Sequence, residues 1–242
     1  MKLNKEENDS EQVDVTVVMP VCNEEECIAA VIDDWLEVLA SCGCRYRLLV
    51  LNDGSSDNTA DVLQPYEANP CVLVINKPNE GHGPTILRGY QSSVKAGIWV
   101  FQTDSDNEIA ALEFRAIWAE RNQYDFLYGQ RRKRMQGIGR YLVSFVSRLL
   151  VSLLSLRRAG DVNVPFRLMR SEVLAGFLMQ IPASTFAPNV AITGLFLKKR
   201  MRYKTFPVQY KSRQTGKVSI VHWKLFKSAI LSFCQSFLIL IK

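Results

Sequence analysis

The 242-residue chain lacks several features that would settle its class at once. No run of eighteen apolar residues occurs, so no segment reads as a membrane-spanning helix. There are two histidines, and the six cysteines (Cys22, Cys27, Cys42, Cys44, Cys71 and Cys234) form no C-x-x-C pair. That supply argues against a structural zinc site and fits a reducing, cytosolic setting. The opening MKLNKEENDSEQ is polar and acidic where a secretory signal would be basic and then apolar. Internal repeats, low-complexity tracts and a linker between two folding units are also missing. The last scarcity is of one sign of charge: after Glu172 there is no carboxylate.

What is present suits a packed core. Apolar residues make up 48% and charged residues 22%. The net charge of +6 hides an asymmetry. Residues 1–128 carry 9 Lys and Arg against 22 Asp and Glu, a balance of −13. Residues 129–242 carry 21 Lys and Arg, with Asp161 and Glu172 the only acids, a balance of +19. Solubilising faces mix signs, so a half this basic is expected to meet an anion. Nucleic acid, anionic lipid and a phosphorylated acceptor are the three candidates.

The pattern along the first half alternates. Val15–Val21 is apolar and β-branched, as in a buried parallel strand, and Asn23 before three glutamates reads as the cap of a helix running to Gly43. Strand Arg45–Leu51, helix Thr59–Tyr66 and strand Cys71–Ile75 follow. A Pro- and Gly-rich loop, Lys77–Pro84, then leads to helix Thr85–Lys95 and strand Ile98–Thr103. The alternation predicts an α/β fold, a doubly wound, mostly parallel sheet with helices on both faces. Functional groups in such sheets gather at the carboxyl ends of the strands. Those ends carry Asn23 and Glu24, Asp53, Lys77, and Asp104 with Asp106.

In the second half, GQRRKR (129–134) is a basic run, read equally well as a solvated face. A helix from Ile138 to Leu156 follows, with Leu142, Phe145, Leu149 and Leu153 on one stripe and Arg140, Ser144 and Arg148 on another. Arg202–Val208 reads as a strand and Lys211–Val218 as a polar loop. The last helix, Val221–Ile241, places Trp223, Phe226, Ile230, Phe233 and Phe237 on one side. It serves as core, or as an amphipathic helix facing a membrane surface.

Two segments carry chemistry. Asp104-Ser105-Asp106 presents two carboxylates on alternate residues where a strand ends, which can turn toward one hard cation such as Mg²⁺ or Mn²⁺. A solvated turn is the competing reading of so short a motif. In NDGSSDNT (52–59), Gly54 permits a tight turn, and Asp53 is an acceptor for a nucleoside hydroxyl or base that a mere junction would not need. His82, a lone loop histidine, is assigned no acid–base role.

VVMPVCNEEECI, VLNDGSSDNT, NKPNEGHGPTILRGY and QTDSDNE, in this order and spacing, resemble the nucleotide-sugar half of glycosyltransferase family 2, whose fold is GT-A. YGQRRKR, Arg140–Ser144, DVNVPFRLMR and PVQYKSRQTGKVS look like one branch, the dolichol-phosphate mannose synthase type and its bacterial polyprenyl-phosphate relatives. The resemblance spans roughly residues 14–220. It implies a flexible tail over 1–13, a nucleotide-sugar half over 14–128, a basic acceptor half over 129–220 and an amphipathic helix over 221–242.

The resemblance also implies roles. Pro20, Val21 and Glu24 would line the base and ribose pocket, with Asp53 as the acidic nucleoside contact and Lys77 also on the donor. Asp104 and Asp106 would hold Mg²⁺ or Mn²⁺ on the donor diphosphate, with Glu108 as a third carboxylate. Arg131, Arg140 and Ser144 would hold the phosphate of a lipid acceptor, and Arg213 would close over the diphosphate. Guanidinium groups pair bidentately with phosphate, and residues 140 and 144 share a helix face. Many family members carry a carboxylate base C-terminal to the D-x-D; here TFAPNVAIT (185–193) holds Asn189 and no acid. A phosphate acceptor is already anionic and needs no strong base, so this gap favours the lipid-phosphate branch. The expectation is an inverting, metal-dependent transfer of a sugar from a nucleoside diphosphate sugar to a polyprenyl phosphate. The protein would lie on the anionic inner face of the cytoplasmic membrane, with no nucleic-acid partner and with oligomerisation left open. Transfer to a sugar hydroxyl is the alternative, and a non-catalytic membrane- or nucleic-acid-binding module a weaker one.

Overall fold

A computed structural model describes residues 12–131, 138–210 and 222–241, the side chains of 138–142 and 222–229 excepted. The chain runs β1 (Val13–Val21), α1 (Ile28–Ser41), β2 (Tyr46–Asp53), α2 (Thr59–Leu63), β3 (Val72–Lys77), α3 (His82–Ser93) and β4 (Gly97–Thr103). It continues through α4 (Phe114–Ala119), β5 (Phe126–Arg131), α5 (Ile138–Ser155), β6 (Phe166–Arg170), α6 (Ser171–Leu178), α7 (Pro188–Lys198), β7 (Tyr203–Val208) and α8 (His222–Ile241). One seven-stranded sheet takes the order β3-β2-β1-β4-β6-β5-β7. The strands β3, β2, β1 and β4 are parallel, β6 runs antiparallel between β4 and β5, and β7 is parallel to β5.

Strand alternation builds the two helical layers. The β1–β4 register pairs Val17 with Phe101 and Val18 with Gln102, so neighbouring residues serve opposite faces. On the Phe101 face, Trp35 of α1 lies 5.4 Å away, with Phe114 and Phe166 meeting Phe101 edge-on at 4.9 and 4.8 Å. All four rings are buried, and truncating one such ring to alanine costs about 3–5 kcal/mol. On the Gln102 face, Tyr90 of α3 and Asn189 of α7 reach the strand by hydrogen bonds. The doubly wound, two-faced sheet expected from the sequence is therefore present, with an antiparallel strand added.

Several boundaries move for physical reasons. Asn23 does not cap α1: it sits at φ 56°, a left-handed conformation asparagine tolerates, and α1 begins only at Ile28. Its side chain accepts from the Ser56 N–H at 2.7 Å, and its N–H donates to Ser55 Oγ at 2.9 Å. Thus Asn23 sews the loop after β1 to the loop after β2. The helix expected to Tyr66 ends at Leu63 and continues as a 3₁₀ turn, Gln64–Ala68, with Pro65 at its start. β3 extends to Lys77 and α3 starts at His82, which shortens the expected Lys77–Pro84 loop from both sides. The tail expected over 1–13 falls outside the described residues up to residue 11, and Val13 already belongs to β1.

Of the stripes read on the last helices, the side chains of Leu142, Trp223 and Phe226 lie outside the described residues, and the others do not enter the core. Phe145, Leu149 and Leu153 of α5 are exposed, while Leu150 and Val151 are buried. In α8, Ile230, Phe233 and Phe237 are exposed, while Ser232, Ser236, Ile239 and Leu240 face inward. Helix α7 packs against both α5 and α8, which also pack against each other.

Candidate active site at the strand ends

The parallel strands end on one side of the sheet, and from the adjacent β1 and β4 the strand order runs outward in opposite directions, a point at which a crevice is expected. A cavity of about 540 Å³ opens there, within the range of small-ligand sites. Pro20, Val21 and Glu24 line it from the end of β1, and Asp53 from the end of β2. Asp104, Asp106 and Glu108 enter after β4, and Arg131 from β5.

The Asp53 side of the cavity is held by the protein's own hydrogen bonds. Asp53 accepts from the Glu80 N–H at 2.8 Å and the Gly81 N–H at 3.0 Å, and Lys77 Nζ donates to it as well. Burial, the largest influence, would raise the Asp53 carboxyl; Lys77 and the backbone donors outweigh it and hold it below the ordinary value. Lys77, expected on the donor, meets Asp53 and Glu80 in this structure. Its side chain is 1% exposed, paired with Asp53 and Glu80, and absent from the cavity wall. Lys77 thus orients Asp53 from behind. Gly54, at φ 61°, lets residue 79 approach: a Cβ there would lie 2.6 Å from the Asn79 nitrogen. Asn79 Nδ2 then donates to the Asp53 carbonyl at 2.8 Å.

The carboxylate side is tighter. Asp104 Oδ1 accepts from Gln102 Nε2 at 3.0 Å, and His82 Nε2 lies 3.8 Å from the same oxygen. Burial, then the Glu108 carboxylate, pushes the Asp104 carboxyl up to about 7. Asp106 Oδ1 accepts from the Glu108 N–H at 3.2 Å. Glu108 engages Tyr210, whose hydroxyl is raised to about 12 by burial and then by that hydrogen bond. Among the described residues, no three His, Cys, Asp or Glu side chains converge into a ready-made metal cage. The donor set nevertheless fits a hard divalent cation: oxygen ligands only, and carboxylates whose mutual repulsion a cation relieves. Mg²⁺ and Mn²⁺ are commonly held by one or two carboxylates plus phosphate oxygens.

Across the cavity, Arg131 gives Asp161 two hydrogen bonds, from Nε at 2.6 Å and Nη2 at 3.0 Å. Arg131 also lines a second cavity of about 200 Å³, with Ser144 and Arg148 of α5 and Asn163 on its other walls. Ser144 thus shares a cavity wall with Arg131. The side chain of Arg140 and all of Arg213 lie outside the described residues. Phe186, Ala187, Pro188 and Asn189 form a wall of the larger cavity, and that stretch brings no carboxylate.

The family model for glycosyl transferase family 2 matches residues 16–176. The chain belongs to that family. Among family 2 relatives, the undecaprenyl-phosphate 4-deoxy-4-formamido-L-arabinose transferase of Proteus mirabilis (strain HI4320) is 28% identical over 183 residues. That match covers 74% of this chain and 56% of the relative. The protein of the same name from Pectobacterium carotovorum subsp. carotovorum (strain PC1) is 26% identical over 205 residues, covering 84% and 61%. The chain thus spans little more than half the length of these relatives. In fold it is similar to glucosyl-3-phosphoglycerate synthase from Mycobacterium tuberculosis in complex with Mn²⁺, UDP-glucose and phosphoglyceric acid. The TM-score is 0.66 at 17% identity, covering 93% of this chain and 80% of that one. The same synthase bound to phosphoglyceric acid gives 0.67 at 16%, covering 94% and 80%. The GT-A architecture implied by the motifs is thereby shown.

Four residues at or near these cavities carry no role in the sequence reading. Gln102 stood inside the QTDSDNE motif without a role. Asp161 was visible as one of two acids in a basic half, a signal that it pairs with a nearby arginine. Arg167 is wholly buried and donates to the carbonyls of Val162, Val164 and Asn189, pinning the segment that carries Asp161 and Asn163. His82 reaches the cavity because α3 begins with it.

Proposed function

We propose that this chain transfers a sugar from a nucleoside diphosphate sugar to a polyprenyl phosphate at the cytoplasmic face of a membrane. The observation that carries the reading is Arg131 lining both cavities: a guanidinium between the carboxylate-bearing donor site and a second pocket with Ser144 and Arg148. The names of the relatives, undecaprenyl-phosphate transferases, support the same acceptor class.

In this reading Asp53 holds the nucleoside, and Pro20, Val21 and Glu24 form the surrounding wall. Asp104 and Asp106, with Glu108 beside them, would hold Mg²⁺ or Mn²⁺, which when bound neutralises charge on the donor diphosphate. Arg131, Arg140 and Ser144 seat the acceptor phosphate so that one of its oxygens faces the anomeric carbon. That oxygen attacks, the bond from the sugar to the diphosphate breaks, and configuration inverts. No protein base is required, because the attacking oxygen is already anionic. Arg213 closes over the departing nucleoside diphosphate. The exposed apolar residues of α5 and α8, in a half with so few acids, support peripheral contact with an anionic bilayer.

The test is a transfer assay with a short polyprenyl phosphate, a panel of nucleotide sugars and Mg²⁺ or Mn²⁺, read by mass spectrometry. A lipid product heavier by one sugar is expected and names the donor. Transfer to a lipid-free saccharide with no lipid product would replace this reading with a hydroxyl acceptor.

A further inference from the structure

The Asp104 carboxylate is tied back into the protein by a chain of buried groups. Gln102 points to the same face of β4 as Asp104 and is fully buried. Its Nε2 donates to Asp104 Oδ1 at 3.0 Å, and its Oε1 accepts from Asn189 Nδ2 at 3.0 Å. Asn189 Oδ1 in turn accepts from the Tyr90 hydroxyl at 3.0 Å, which also lies 3.4 Å from Gln102 Oε1. The Asn189 carbonyl accepts from Arg167 Nη1 at 3.0 Å, and Arg167 is the cross-strand partner of Gln102. Side chains from α3 and α7 thus meet the Gln102 amide of β4, and Arg167 of β6 holds the backbone of Asn189.

The direction of this relay is set by chemistry. An ionised carboxylate only accepts, so the Gln102 amide must turn its nitrogen to Asp104 and its oxygen inward. That oxygen needs a donor, which orients Asn189, whose oxygen then takes the tyrosine proton. Flipping either amide would set oxygen against oxygen in a buried, low-dielectric place. A solvated turn would need none of this, whereas a carboxylate that must meet a cation at a fixed angle does.

We infer that Gln102, oriented by Asn189 and Tyr90, is a positioning residue that fixes the Asp104 carboxylate for the divalent cation. The inference rests on the reading of Asp104 as a cation ligand. Groups that hydrogen-bond a metal ligand from behind typically change metal affinity about 10- to 100-fold when removed. The relay also makes α7, an acceptor-side helix, a support of the donor-side carboxylates.

The experiment is a Mn²⁺ titration of the full chain by electron paramagnetic resonance, with Gln102→Leu, Tyr90→Phe and Asp104→Asn beside the parent. Gln102→Leu is expected to raise the Mn²⁺ dissociation constant about 10-fold or more. Tyr90→Phe, which keeps the ring and loses only the hydroxyl, should raise it about 2- to 5-fold, a part of that effect. In turnover, the metal concentration for half-maximal rate should rise while the rate at saturating Mn²⁺ recovers, a split that general loosening of the core would not give. Parent affinity in both relay variants, with Asp104→Asn losing the metal, overturns the positioning role alone. Parent affinity in Asp104→Asn as well overturns the cation site and the inference with it. Should Gln102→Leu fail to fold, Tyr90→Phe decides by the same criterion.

Discussion

Asp161 holds the Arg131 guanidinium by two hydrogen bonds, and does so where Arg131 lines both cavities. The pair is largely shielded, the Arg131 side chain being 6% exposed and that of Asp161 13%. Removing one partner of a buried pair strands the other charge. Asp161→Ala is therefore expected to cost about 3 kcal/mol in urea unfolding. It should also raise the KM for the lipid phosphate while leaving the KM for the donor near the parent value. Asp161→Asn, which keeps one acceptor, should recover part of both losses; equal damage to the two KM values would refute the assignment.

Acid should act through Asp53. Its carboxyl is held below the ordinary value, since burial is outweighed by Lys77 and the backbone N–H groups. A depressed carboxyl gives stability that is fully present above the unfolded value of about 3.9 and is lost as pH falls through the folded one. Lys77→Met removes the ammonium and raises the folded value, so the variant should lose stability and nucleotide binding at higher pH than the parent. Denaturant unfolding and UDP binding at steps between pH 7 and pH 3 test this. Superimposable acid limbs would show that Lys77 does not set the charge of Asp53.

Chelation and the aspartate pair should report on one another. EDTA is expected to abolish transfer, with Mn²⁺ or Mg²⁺ restoring it. Asp106→Asn should lower kcat/KM about 100-fold, equivalent to about 2.7 kcal/mol of transition-state stabilisation. Circular dichroism should be unchanged, because Asp106 lies in a loop beyond β4. Wild-type rates with unaltered metal dependence would remove Asp106 from the site.

Gly83 marks a close approach between the two halves. A Cβ there would lie 2.3 Å from the Thr185 carbonyl oxygen and 2.4 Å from that of Phe186. Neither carbonyl is the end of a flexible side chain, so backbone must shift. Gly83→Ala is expected to cost about 2 kcal/mol, a fall in Tm of roughly 4–8 °C. It should weaken donor binding too, since Phe186 and His82 share the cavity wall. Thermal melts with and without a nucleotide sugar check both effects.

The donor half was readable because its signals are local. Apolar runs ending in Asp53 or Asp104 announce both the strand and what stands at its tip. Asn23 misled because its side chain serves Ser56, 33 residues away, a partner that cap statistics do not reveal. The middle of the chain was harder. Helix α7 is buried from Pro188 to Leu197, so it has no amphipathic period to detect. Strand β6 has five residues, interrupted by Arg167, and a buried arginine looks like a surface residue until its carbonyl partners are known. That the Lys77 ammonium meets Asp53 follows from the register of β2 and β3, which the sequence does not spell out. The apolar stripes of α5 and α8 were seen, and their exposure was a matter of which other faces found partners.

The place of β6 constrains how the chain can be assembled. It is made after β5 yet lies between β5 and β4. During synthesis, β5 emerges with its eventual neighbour still unmade, and the rim of β4 stays bare until residues 166–170 appear. Such a rim invites pairing with foreign strands, so the growing chain passes through an adhesive interval whose length is fixed by strand order. Once β6 slots in, it locks the earlier and later parts together, and neither can be released intact by cutting the connection between them.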